Sequence, residues 1–262
     1  MSGGGEDTMC GRFTLTQPGQ LGLRFDVRDE VPQGARYNIA PAQDIPVVRE
    51  TATGRVLEQR RWGYQPTWAA DRGRSAPINA RAETLTERPF FRQSLQRRRC
   101  LIPADGFYEW QDVGHAPKQP IYFRLRDGAP FGFAGLYAEG STGSPADDDG
   151  GCALITTAPN GLVAPVHDRM PVILRRQDED LWLDPTVTDM VALRHLMQPY
   201  PADLMEAYPV APLVSSTRNE GARLIELLGY RVACSGEGCV VFPAPLPSRL
   251  SRVDTARWDG VG

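Results

Sequence analysis

The stretch Cys100-Leu101-Ile102-Pro103-Ala104-Asp105-Gly106-Phe107-Tyr108-Glu109-Trp110 decides the fold. Its two short apolar runs, 100–102 and 106–110, are punctuated by proline and glycine, and runs of that kind read as β-strands. Working outward, the same pattern recurs at 45–48, 55–62, 120–125, 131–137 and 152–156, so strands dominate the first 160 residues. Helical patterns are fewer, at 86–98, 177–183, 187–198 and 219–228. The last sets Leu224, Leu227 and Leu228 on one side and stops at Gly229. The balance predicts an α+β protein: one β-rich domain with a curved, barrel-like sheet and flanking helices. Its expected limits are a leader over 1–9, the domain over 10–229 and a weakly ordered extension over 230–262. Residues 139–151 (EGSTGSPADDDGG) read as a surface loop inside that domain.

At 262 residues, 41% hydrophobic and 23% charged, the chain suits a soluble globular protein, and no apolar run is long enough to span a bilayer. Residues 1–8 have neither the basic start nor the apolar stretch of a secretory signal, which predicts a cytoplasmic protein. Five cysteines, an odd number, argue against a disulfide framework. The Cys234-x4-Cys239 spacing has no second pair to complete a zinc site, so no metal or cofactor is expected. The net charge of −3 conceals a basic segment: residues 55–99 hold eleven arginines against four acids. That segment reads either as a polyanion-binding surface or as solvated loops and helix faces of a chain with a single lysine.

Four polar residues stand in apolar or glycine-punctuated contexts: Cys10, Asn79, Glu109 and His167. Nucleophile, amide, carboxylate and imidazole are the parts of a covalent acid-base site. Each alone has a plainer reading. Cys10 fits a buried inert thiol, Glu109 the exposed face of a strand, and His167 a helix cap or core hydrogen bond. Cys10 differs from an ordinary cysteine if everything through Met9 is removed. An N-terminal cysteine carries an α-amine with a reference pKa of ~7.7–8.0 beside a thiol of ~8.5, two nucleophiles on adjacent carbons. Such a pair captures an aldehyde twice, as a Schiff base and then as a five-membered thiazolidine. His115 and His195 read as surface residues.

The chain resembles the SOS-response-associated-peptidase (SRAP) family. The resemblance is collinear over MCGRF (9–13), RYNIAP (36–41), RWGYQPTW (61–68), PINARAET (77–84), ADGFYEW (104–110), ITTAPN (155–160), HDRMPVIL (167–174) and SSTRNEG (215–221). It implies a monomeric protein that captures abasic sites in single-stranded DNA covalently, and that associates with the nucleoid when bound. It further implies one compact domain with a positively charged DNA groove. Carried over by position, it makes Cys10 the cross-linking nucleophile, Asn79 its orienting partner, and Glu109 and His167 the acid-base groups. Arg12, Arg81 and Arg169 become phosphate contacts, Trp68 and Pro41 stacking and wedge surfaces, and Thr156 a phosphate or sugar contact. Several relatives carry a second aromatic where this chain has Ala69. The family also starts Met-Cys, whereas eight residues precede Met9 here; either Met9 is the functional start or a precursor is trimmed. A lyase-type β-elimination and a self-processing peptidase activity belong to the same implication. Two other readings stay open: a thiol peptidase acting in trans through Cys10, His167 and Glu109, and a noncovalent reader of modified or single-stranded DNA.

Overall fold

A computed structural model describes residues 10–27, 34–72, 76–87, 89–114, 117–140, 150–228, 230–235 and 238–243. The expectations for the leader 1–9, for His115, for most of the loop 139–151 and for 244–262 fall outside these described residues. The elements run β1 (Phe13–Leu15), α1 (Leu21–Phe25), β2 (Arg36–Ile39), β3 (Asp44–Thr51), β4 (Gly54–Arg61), β5 (Asn79–Arg81) and α2 (Pro89–Arg97). They continue as β6 (Arg99–Ala104), β7 (Gly106–Gln111), β8 (Gln119–Leu125), β9 (Phe131–Tyr137), β10 (Cys152–Thr157) and β11 (Met170–Pro171). Last come α3 (Glu179–Leu183), α4 (Met190–Leu196), β12 (Met205–Pro209), β13 (Tyr230–Ser235) and β14 (Gly238–Pro243).

The strands make two curved sheets and a separate hairpin, with no closed barrel among the described residues. One sheet has the order β12-β8-β7-β1-β2. The other runs β11-β10-β9-β6-β3-β4, with β5 paired in parallel to β10. The sheets curve as expected but do not close, and one residue marks where they part. β6 and β7 are separated only by Asp105, yet β6 pairs with β9 and β3 while β7 pairs with β8 and β1. The chain therefore turns a corner between sheets instead of closing a hairpin. Aromatic side chains fill the space between the layers: Phe13 of the first sheet meets Phe133 of the second at 5.9 Å and Trp62 at 5.1 Å between ring centroids.

The corner is held by buried polar contacts. Asp105 accepts from Thr14 Oγ1 at 2.6 Å, Thr16 Oγ1 at 2.8 Å, and the backbone amides of Thr16 and Gln17, while its own amide donates to the Thr14 carbonyl. Gly106 follows because a Cβ there would lie 2.1 Å from the hydroxyl of Tyr122, which itself bonds Thr14. A second buried polar centre is Arg99, at the start of β6. Its guanidinium donates to the carbonyls of Leu95, Gln96, Trp182, Asp184 and Val187, so one cation fastens α2 and the segment after α3 to the sheet. Burial pushes its pKa down to about 10.

Every strand read from the sequence is present, six of the seven within two residues of their expected ends, while the strand read at 45–48 runs three residues further, to Thr51. The helix expected at 86–98 is α2, the one at 187–198 contains α4, and the one at 177–183 is a 3-10 turn leading into α3. The pattern at 219–228 yields only a 3-10 turn at Ala222–Ile225: Leu224 enters a small core with Tyr108 and Tyr122, but Leu227 is 61% exposed. Tyr230–Ser235 and Gly238–Pro243 pair as an antiparallel hairpin that sets Cys234 opposite Cys239.

Asp105→Ala leaves four donors without their acceptor and is expected to cost about 3 kcal/mol or more, with Asp105→Asn losing about half as much. Urea unfolding with the slope unchanged measures both, and a loss below ~1 kcal/mol for the alanine variant contradicts the role assigned to the corner.

Candidate active site

The corner sets the register of β1 on β7. Phe13 faces Phe107 and Thr14 faces Gly106, and the Tyr108 amide donates to the Arg12 carbonyl. Two places further back along this antiparallel pairing, Gly11 comes opposite Glu109, and Cys10 lies in the turn three residues ahead of β1. The Cys10 nitrogen donates to Glu109 Oε1 at 3.1 Å, and its thiol bonds the same carboxylate. Both residues are buried, Cys10 at 4% and Glu109 at 2% exposure. Cys10 has φ +43°, a left-handed conformation that costs a non-glycine residue about 1–2 kcal/mol. Burial first, and the Glu109 carboxylate second, push the Cys10 thiol well above its ordinary pKa. The resting sulfur is therefore a neutral thiol with a base already hydrogen-bonded to it.

His167 comes from the other sheet. After β10 the chain makes a run of turns in which Asn160 Oδ1 accepts from the amides of Leu162 and Val163, and the His167 amide donates to the Val163 carbonyl. The Asn160 side-chain amide donates to the Tyr200 carbonyl at 2.7 Å, which fixes this arm to the body. The imidazole then stands with Nε2 3.9 Å from Glu109 Oε2. Its Nδ1 accepts from the Arg169 amide at 3.1 Å and lies 3.2 Å from Asp168 Oδ1. An accepting Nδ1 puts the neutral ring's proton on Nε2, the nitrogen that faces Glu109. Cys10, Glu109 and His167, spread over 158 positions of sequence, thus meet where the two sheets adjoin.

Asn79 and Arg81 are on β5, opposite Leu154 and Thr156 of β10, which places them on the His167 side of the junction. Arg81 is exposed. Thr156 is fully buried, its hydroxyl 3.3 Å from Arg169 Nη2. Arg169 makes a two-pronged ion pair with Glu83 at 2.7 and 2.8 Å and donates to the Thr156 carbonyl at 2.7 Å. That pair holds the Glu83 carboxyl below its usual range. Arg12 donates to Asn38 Oδ1 and the Val214 carbonyl, each at 2.8 Å, and lies 5.8 Å from the centre of the Trp110 ring. Burial lowers its pKa. Both arginines are thus engaged by the protein. Pro41 forms a tight turn with Ala42, whose φ is +63°, and Trp68 is 51% exposed. Sequence reading passed over Glu83 and Asn38. Glu83 stands two residues beyond Arg81 in PINARAET, and a carboxylate that close to candidate phosphate arginines was a signal for an ion pair.

A buried thiol, a carboxylate bonded to it and an imidazole facing that carboxylate are the groups that a covalent acid-base site of the cysteine class requires. The SOS response associated peptidase (SRAP) family model matches residues 9–217, and the chain belongs to that family. It is 44% identical over 225 residues to the abasic site processing protein YoqW of Bacillus subtilis, covering 83% of this chain and 99% of the relative. The abasic site processing protein YedK of Escherichia coli is 30% identical over 227 residues, with 83% and 99% covered. The abasic site processing protein HMCES of Xenopus tropicalis is 31% identical over 275 residues, with 80% and 76% covered. Among solved structures, a protein from Bacteroides thetaiotaomicron superposes with a TM-score of 0.71 at 24% identity, over 83% of this chain and 99% of that one. A phage-related protein from Bordetella bronchiseptica gives 0.62 at 30% identity, over 77% and 94%. Among the described residues no helix is long and apolar enough to cross a membrane, and no group of three or more His, Cys, Asp or Glu could hold a metal ion.

Glu109→Gln removes a charge that raises the Cys10 thiol, so the midpoint of Cys10 alkylation by iodoacetamide is expected to move down in pH. It should stay above the ordinary thiol value because burial remains. A pH series of alkylation rates followed by mass spectrometry reads the midpoint, and an unchanged or higher value contradicts the pairing.

Proposed function

We propose that this protein processes abasic sites in single-stranded DNA by covalent capture through Cys10. The observation that carries the reading is the Cys10 nitrogen 3.1 Å from one oxygen of Glu109, with His167 Nε2 3.9 Å from the other. Once residues through Met9 are removed, that nitrogen is an α-amine and the same carboxylate can accept its proton. His167 acts as the acid that opens the deoxyribose hemiacetal to its C1′ aldehyde. The amine adds to the aldehyde carbon and water leaves, giving a Schiff base. The sulfur then adds to the imine carbon, its proton passing to Glu109 and from there to the imine nitrogen, which closes the thiazolidine. A neutral thiol with its base in place suits this last step better than a free thiolate, because no charge need be buried before the bond forms.

Asn79 orients the cysteine or a sugar oxygen through its paired donor and acceptor. On the DNA path, Arg81 offers an exposed guanidinium, Trp68 a half-exposed ring and Pro41 a wedge at a stiff turn. Arg12 supports the path from beneath. Thr156 backs Arg169, which reaches a phosphate by exchanging Glu83 for it. A β-elimination from the Schiff base is a side reaction of the same intermediate. Release of residues 1–9 by the protein's own thiol is the one peptidase step in this scheme.

Intact mass spectrometry of the natively expressed protein, before and after mixing with an abasic single-stranded oligonucleotide, tests the reading. The expected result is a chain beginning at Cys10 that gains the oligonucleotide mass less one water, and no adduct from Cys10→Ala. A chain beginning at Cys10 that forms no adduct, under conditions where a relative does, refutes covalent capture. Full lesion protection by Cys10→Ala would instead establish noncovalent reading. In a separate binding titration, Glu83→Gln is expected to tighten the affinity for single-stranded DNA several-fold by releasing Arg169. Unchanged or weaker binding contradicts the exchange of Glu83 for a phosphate.

A further inference from the structure

The exposed face of α2 and the ring of Trp68 enclose a recess that the capture chemistry does not use. It has a volume of about 220 Å3 and is lined by Tyr64, Pro66, Trp68, Pro89, Phe90 and Gln93 among others. That is smaller than the roughly 300–1,000 Å3 clefts that take whole small molecules and of a size for one planar ring system. Phe90 forms its wall, edge-on to Trp68 at 5.5 Å and to Tyr64 at 5.4 Å between centroids. Tyr64 is locked behind it by its hydroxyl's bond to Ser94 at 2.8 Å. An ion pair of Arg98 with Glu139 at 2.7 Å closes one rim.

The helix explains how the recess is continued. Phe91, Ser94 and Leu95 are buried against the body, while Pro89, Arg92, Gln93 and Arg97 are exposed. Pro89, Gln93 and Arg97 succeed one another at four-residue steps, so they form one stripe running from the recess along the surface. The exposed Gln93 offers both an amide donor and an acceptor at the mouth. Arg92 and Arg97 have no ion-pair partner among the described residues. An aromatic wall, an amide at its edge and unpaired guanidinium groups one turn away are the elements by which single-stranded nucleic acid is held: stacking for a base, charge for the backbone.

We propose that the Trp68–Phe90 recess is a nucleobase subsite for single-stranded DNA, with Gln93 at the base edge and Arg92 and Arg97 on the adjoining phosphates. It extends the strand's path along α2, away from Cys10. The inference rests on the DNA-binding part of the proposed function but not on covalent capture. It also assigns part of the basic segment at 55–99: the arginines of α2 serve a polyanion.

Affinity for an undamaged single-stranded oligonucleotide, measured by fluorescence anisotropy at low salt, tests this without any cross-link. Arg97→Ala and Gln93→Ala, both at exposed positions, are each expected to weaken binding several-fold. Arg97→Ala should also reduce the salt dependence of log K by about 0.7, one single-strand phosphate. Phe90→Ala, with folding checked by circular dichroism, should weaken binding for every base. A strand carrying 2-aminopurine at successive positions should show one position quenched by the wild type and relieved in Phe90→Ala. Wild-type affinity in Arg97→Ala and Gln93→Ala overturns the subsite, as does equal binding of a duplex of the same sequence. A wild type that binds the strand but forms no adduct refutes covalent capture and leaves the subsite standing.

Discussion

The carboxylate of Asp105 is the constraint on which the rest depends. It is the only residue between two strands of different sheets, and it is 4% exposed. A buried carboxylate is tolerated only if its oxygens are satisfied, and here the two hydroxyls and two amides that satisfy them come from Thr14, Thr16 and Gln17, at the end of β1. The same contacts that neutralise the cost of burial therefore pin β1 to the corner. With Thr14 held opposite Gly106, the pleat of β7 leaves no freedom in where Glu109 meets the chain preceding β1.

The chemistry then follows from where the two sheets meet. Glu109 belongs to one sheet and Cys10 to the segment that leads into its strand β1; His167 belongs to the arm that follows β10 in the other. Burial of the thiol, and beside it the Glu109 carboxylate, keep the thiol protonated. Around them lies a second tier of polar contacts: Asn160 on Tyr200, Glu83 on Arg169, and Asn38 on Arg12 and on the carbonyls of Val214, Ser216 and Asn219. Through Arg12 and Asn38, the late SSTRNEG segment is fastened to the stretch that runs from Cys10 into β1.

Much of the fold was legible because seven of the fourteen strands among the described residues are apolar runs bounded by glycine or proline, a local signal. The misread segment 219–228 had leucines at helical spacing, but only Leu224 has a core to enter. With Leu227 in solvent, nothing drives the remaining turns, and a short helix has no stability of its own. Of the strands that escaped notice, β1, β2, β5, β11 and β12 are two to five residues long and show no alternation of their own, while β13 and β14 lie in the stretch read as a weakly ordered extension. They exist because neighbouring strands offer them hydrogen bonds, which is a property of the assembled sheets.

The sequence by itself determined the α+β class, the seven longer strands between residues 44 and 157, the family, and the residue types of the candidate site: Cys10, Asn79, Glu109 and His167 each lie within a short motif that can be recognised locally. Only the tertiary structure decided that the chain switches sheets at Asp105, that Cys10, Glu109 and His167 meet, that Arg12 and Arg169 are already engaged, and that Trp68 shares a recess with Phe90. The physical reason is range. Propensity, turn chemistry and motif spacing act over a few residues, whereas burial, ion pairing and proton transfer depend on distances between groups up to about two hundred positions apart, such as Arg12 and Val214.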